Sequence, residues 1–132
     1  AKQRQKEQER CHRIYKFNVL LTTYETANQE QKALVDIDWQ YLVVDEGHRL
    51  KNTGSKLFRT LSSLYREQAL ILTGTPLQNS VKELWAMLHF LEPTTFSDLD
   101  KFEEKYGALT DHKSVAKLQK RLAPYMLRRV KE

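Results

Sequence analysis

The stretch Tyr41–His48, YLVVDEGH, runs from apolar residues straight into two adjacent carboxylates, Asp45 and Glu46. A hydrophobic strand that ends this way delivers its acids to the C-terminal edge of a sheet, where open α/β folds place their ligands. Transfer of a phosphoryl group to water needs two such groups. One carboxylate holds Mg2+, which favours one or two carboxylates together with phosphate oxygens and waters, and the other orients and deprotonates the attacking water. Asp45 suits the first role and Glu46 the second. An acidic pair where a strand leaves the core is also common as a solvated turn, so the pair alone leaves both readings open.

The segment Leu72–Asn79, LTGTPLQN, adds polar groups of the right kind. A strand enters a Thr-Gly-Thr-Pro loop whose glycine permits close backbone approach and whose hydroxyls and amides can donate, and Gln78 and Asn79 follow as a helix begins. Turn chemistry explains Gly74 and Pro76. It does not explain why Thr73, Thr75, Gln78 and Asn79 gather at the edge that carries Asp45 and Glu46.

Other chemistries lack their parts. The sequence holds no H-E-x-x-H, no cysteine pair and no G-x-S-x-G, which leaves zinc hydrolysis and serine-nucleophile chemistry without a basis. Cys11, the single cysteine, excludes a disulfide scaffold and fits a reducing compartment. The four glycines are Gly47, Gly54, Gly74 and Gly107, and none belongs to a G-x-x-x-x-G-K-[ST] loop, so a phosphate cradle is missing from these residues.

The elements that must position these residues alternate between strand-like and helix-like patterns, as in a parallel sheet covered by helices. Phe17–Glu25, Tyr41–Glu46 and Ala69–Thr75 read as strands, and their unbroken apolar content suits burial on both faces. Leu57, Phe58, Leu61 and Leu64 share one side of a helix starting near Ser55. Ser80 with Glu83 forms a capping-box pattern ahead of a stripe at Val81, Leu84, Trp85, Leu88 and Leu91, which Pro93 stops. A further helix from Ser97 carries Leu99, Phe102 and Tyr106 and ends at Gly107. Val115, Leu118 and Leu122 mark a last helix, interrupted at Pro124. Trp39 and Trp85 are expected in the core.

With 132 residues and 40% hydrophobic content the sequence suffices for one core. The net charge of +5 is unevenly spread, at +4 over residues 1–16, −5 over 17–111 and +6 over 112–132. Basic ends are attracted to a polyanion such as nucleic acid, though solvated helix surfaces look the same in sequence. Residues 1–16 read as a basic polar arm and 17–132 as the folded body. Aliphatic runs fall far short of the ~20 residues that cross a bilayer, so no membrane partner is expected. The first residue is Ala1, and the two methionines are Met87 and Met126, which predicts a longer parent chain.

Leu20–Glu25 (LLTTYE), Asp45–Asn52 (DEGHRLKN) and LTGTPLQN, in this order, resemble the N-terminal RecA-like motor lobe of the SWI/SNF-related chromatin-remodelling ATPases of helicase superfamily two. Pro124–Glu132 (PYMLRRVKE) resembles the segment leaving that lobe, and the likeness is greatest to the chromodomain-helicase-DNA-binding branch. The resemblance implies an α/β fold, part of a RecA-like parallel sheet flanked by helices and truncated on its N-terminal side. It implies ATP and Mg2+ as ligands, with Asp45 holding the metal, Glu46 activating water, and Asp45, Glu46, His48, Gly74 and Gln78 lining the nucleotide site. His48 would reach the next motif through Gln78. Thr73, Gly74, Thr75, Gln78 and Asn79 would couple nucleotide state to DNA, and Thr22, Thr23, Tyr24, Arg49, Lys51 and Asn52 would bind DNA, the first three through its backbone.

Double-stranded DNA, nucleosomes and a second RecA-like lobe of the same parent are the implied partners, and the nucleus the implied location. The family's phosphate loop lies upstream and its arginine finger on the second lobe, so these residues alone are expected neither to bind ATP tightly nor to hydrolyse it usefully. The rival expectation is a non-catalytic DNA- or protein-binding module built on a degenerate motor lobe.

Overall fold

The computed structural model describes residues 15–74, 81–106, 118 and 120–127. Among the described residues the first helix follows Thr23, whose side-chain oxygen accepts from the Thr26 amide at 3.2 Å and satisfies one of the donors that a helix start leaves open. Helix α1 (Tyr24–Gln29) and α2 (Gln31–Val35) follow. Strand β1 (Trp39–Val44) leads through a 3-10 turn (Gly47–Leu50) into α3 (Lys56–Ser62), β2 (Arg66–Ile71), α4 (Val81–Leu91) and α5 (Leu99–Tyr106). Residues 118 and 120–122 are also helical. Ser55, near which the sequence places a helix start, caps α3 by accepting from the Phe58 amide, and α5, expected from Ser97, starts at Leu99 with Asp98 accepting from the Lys101 amide at 3.0 Å.

The strands run parallel, with Trp39 opposite Arg66, Tyr41 opposite Gln68, Val43 opposite Leu70 and Val44 opposite Ile71. Both start earlier than their apolar runs suggest. Polar residues join the ladder there, and Gln40 Nε2 donates across it to Glu67 Oε1 at 3.1 Å. Leu42, Val44, Ala69 and Ile71 face a core built with Ala27, Leu34, Leu50, Leu57, Phe58, Leu61 and Phe90. A second cluster joins Leu84, Trp85 and Leu88 of α4 to Phe96, Phe102, Tyr106, Leu118 and Leu122. Helix α4 serves both, through different sides, which explains why its apolar stripe is wide. Trp85 is buried and Trp39 half-buried against the first cluster, as expected of both.

Two expectations need correction. Phe17–Glu25 is not a strand: residues 17–23 pair with neither β1 nor β2, Val19 and Leu21 are 82% and 95% exposed, and the segment passes into α1 at Tyr24. Strand preference is realised only where a ladder partner and a packed face exist, and Thr23 is a better helix cap than strand residue. Nor is the sheet buried on both faces among the described residues. Val44 is 2% exposed whereas Val43, next to it on the opposite face, is 56% exposed, with Tyr41 and Leu70 exposed beside it. The helices described here cover one face only.

At the N-terminal end of the sheet, polar groups are engaged within the fold. Arg66 donates to the carbonyls of Leu61 at 3.4 Å, Leu64 at 3.3 Å and Phe90 at 2.6 Å, and its guanidinium lies 4.3 Å from the Phe90 ring centroid. Burial lowers its pKa from the ordinary value, yet a guanidinium remains charged. It thereby ties the ends of α3 and α4 to the start of β2.

Candidate functional site

Beyond Val44 and Ile71 the strands part, but hydrogen bonding continues. The Leu72 amide donates to the Val44 carbonyl at 2.8 Å, and the Gly47 amide donates to the Leu72 carbonyl at 2.8 Å. These bonds fix the acidic turn against the residue immediately before Thr73 and Gly74, on the C-terminal rim that the sequence assigns to both motifs. Position 47 favours glycine, because a Cβ there would meet Ile71 Cγ2 at 2.0 Å and force Ile71 to shift. At Gly74 a Cβ would meet no described atom within 4 Å. A close approach occurs at Gly47, which the sequence marks only within the longer DEGHRLKN match.

Glu46 is the one described non-glycine residue with positive φ, at φ 51 and ψ 50. A left-handed backbone is disfavoured for a residue with a Cβ, and persists where surrounding bonds over-determine it. Here the Glu46 amide donates to Asp45 Oδ1 at 2.8 Å and the Gly47 amide to Leu72. The bend turns the chain from β1 into the 3-10 turn and leaves both carboxylates exposed. Glu46 Oε2 lies 3.2 Å from His48 Nδ1. His48 therefore sits beside the water-activating candidate, while its expected contact, Gln78, lies outside the described residues, as do Thr75 and Asn79.

The residues expected on the DNA side have partners within the fold. The Tyr24 hydroxyl donates to the Asp45 carbonyl. Burial pushes its pKa up, opposed by Arg49 and assisted by Asp45 and Glu46, which keeps the phenol a donor. Arg49 lies 4.8 Å from the Tyr24 ring centroid and pairs with Glu25 Oε1 at 3.3 Å. Glu25 is held below the usual carboxylate range, first by its own backbone hydrogen bonding and further by Arg49 and Thr23. Lys51 Nζ reaches Glu83 Oε1 at 3.9 Å, and Asn52 Oδ1 accepts from the Gly54 amide at 2.9 Å in a turn leading to α3. Thr23 caps α1, and Thr22 Oγ1 is 3.4 Å from the Thr23 carbonyl oxygen.

Among the described residues no group of three or more His, Cys, Asp or Glu side chains could enclose a metal. An all-protein cage of the calcium or zinc type is therefore absent from the described residues. Asp45, exposed at the rim with Oδ1 accepting from the Glu46 amide, could supply one carboxylate to Mg2+, an ion that completes its shell from waters and phosphate. No described helix is long and apolar enough to cross a membrane.

A family model described as the SNF2-related domain matches residues 1–132. The chain belongs to the SNF2-related family. It is 50% identical over 118 residues to Protein CHROMATIN REMODELING 4 of Arabidopsis thaliana, covering 89% of this chain and 5% of that protein. To chromodomain-helicase-DNA-binding protein 1 of Homo sapiens it is 48% identical over 117 residues, covering 89% of this chain and 7% of that protein. Its fold resembles that of the SWI2/SNF2 ATPase core of Sulfolobus solfataricus, solved in complex with dsDNA, with a TM-score of 0.76 and 29% identity over 89% of this chain and 25% of that one. The α/β architecture is that of a RecA-like lobe of an SNF2 ATPase, and its relatives belong to the chromodomain-helicase-DNA-binding branch. The chain spans 5% to 8% of the length of such relatives.

Proposed function

We propose that this SNF2-related lobe works as part of an ATP-driven translocase on double-stranded DNA that remodels nucleosomes in the nucleus, together with a second RecA-like lobe and a phosphate-binding loop supplied elsewhere in the parent. Glu46 accepts the proton of the attacking water. Asp45 would hold Mg2+ with phosphate oxygens, where the ion offsets the charge on the phosphates. Thr73, Gly74, Thr75, Gln78 and Asn79 form the segment that senses the nucleotide, and the Thr22 and Thr23 hydroxyls face the DNA backbone, where contacts position without reading sequence.

The observation that carries this reading is the bond from the Gly47 amide to the Leu72 carbonyl, which supports a single working rim for the acids and the Thr-Gly-Thr-Pro segment. In the complete motor, Glu46→Gln should keep ATP binding and lose ~10²-fold to 10⁴-fold in hydrolysis, the usual worth of a positioned general base. Near-normal turnover in that variant would remove Glu46 from the mechanism and favour the non-catalytic module.

A further inference from the structure

Three side chains near the acidic turn make contacts that the proposed roles above leave unused. Tyr24 opens α1, directly after Thr22 and Thr23, and its hydroxyl donates to the backbone carbonyl of Asp45. Arg49, in the 3-10 turn, lies over the Tyr24 ring at 4.8 Å and pairs through Nη2 with Glu25 Oε1 at 3.3 Å. One element therefore grips the other twice: at the carbonyl of the residue before Glu46, and at the turn after it. The backbone between these two grips is the one described non-glycine stretch held at positive φ.

We propose that Tyr24, Glu25 and Arg49 form a clasp through which a shift of the Thr22–Thr23 segment re-aims the Glu46 carboxylate, so that contact with a duplex phosphate backbone sets the rate of hydrolysis. The three are positioning residues, acting through the Asp45–His48 turn, and the inference rests on the function proposed above. A left-handed glutamate is a suitable target. Its conformation lies in a narrow, strained region, so a small displacement of the flanking carbonyl changes its stability more than it would in a broad extended well. The guanidinium of Arg49 already has a carboxylate and a ring beside it, so turning it to a phosphate would break both contacts.

The distinction between a clasp and a DNA contact is measurable. The test uses the full-length protein, with ATP hydrolysis followed against a duplex DNA titration at several salt concentrations. The variants are Glu25→Arg, Arg49→Glu, the double swap, Tyr24→Phe, and Glu46→Gln as a reference. Each single swap and Tyr24→Phe should lower kcat at saturating DNA by roughly 2- to 30-fold, the range of coupling changes along packed networks. The double swap should recover most of that loss, and the salt slope of DNA binding should stay as in the wild type. If Arg49→Glu instead raises KM for DNA and weakens the salt slope by about one or more with kcat kept, Arg49 is a phosphate contact and the clasp is overturned. Losses that simply add in the double swap overturn it too. Should Glu46→Gln lose hydrolysis while the swaps leave kcat unchanged, the clasp alone fails; should Glu46→Gln turn over normally, the reading of the acidic pair fails and the clasp goes with it.

Discussion

At the start of the sheet, Trp39 Nε1 donates to the Leu34 carbonyl at 3.0 Å and Arg66 donates to three carbonyls while stacking on Phe90. At the other end of the same two strands, Asp45 and Glu46 stand exposed, and Glu46 holds a left-handed backbone. The donors at the first end are matched to acceptors inside the fold, which is how a polar group adds to stability. At the second end the acids keep only local partners, and strain is tolerated, as at sites that must meet something outside the fold. Parallel strands impose this polarity, because their C-terminal edge is where the loops diverge and a ligand can enter.

Substitutions at the two ends should separate stability from activity. Arg66→Met leaves three carbonyls without their donor and should cost about 3 kcal/mol, read as lost hydrogen-exchange protection along the β1–β2 ladder. Gly47→Ala places a methyl group into Ile71 and should cost ~1–3 kcal/mol through overpacking, with the bond to Leu72 the first to exchange. Glu46→Gly has the opposite sign. By removing the left-handed penalty it should stabilise the turn by ~1 kcal/mol or less while removing the carboxylate, so a gain in protection should accompany loss of turnover.

The smallest effect lies away from both ends, at the cap of α5. The backbone amide of Lys101, then its ammonium, hold the Asp98 carboxyl below its ordinary value. A lowered carboxyl pKa contributes stability above the ordinary carboxylate range, and that contribution is lost as pH falls through the lowered value. Asp98→Asn should keep the cap, since asparagine caps about as well, while flattening this acid dependence in the exchange of the first turn of α5. An unchanged acid profile in Asp98→Asn would show that another group sets it.

Legibility in the sequence followed the same division. The covered side of the sheet, the stripe of α4, the start of α3 near Ser55 and the stop at Pro93 were readable because each depends on local chemistry or on period. Phe17–Glu25 misled because strand pairing is non-local: apolar residues announce a preference that only a partner can realise, and the cap at Thr23 was the competing signal. The acids could be found by type and position, whereas the tie from Gly47 to Leu72 and the contact of Tyr24 with Asp45 join residues 25 and 21 positions apart, which no spacing rule anticipates. Arg49 was readable as a charge but not as a charge already engaged.

Hydrolysis and ladder protection, measured side by side in the full-length protein for Glu46→Gln and Arg66→Met, test the division most directly. Glu46→Gln should lose ~10²-fold to 10⁴-fold in turnover with protection of β1 and β2 as in the wild type, and Arg66→Met should lose protection while the folded molecules keep turnover within about threefold. Equal loss of protection in both variants, with turnover following it, would mean that Glu46 serves the fold rather than the chemistry.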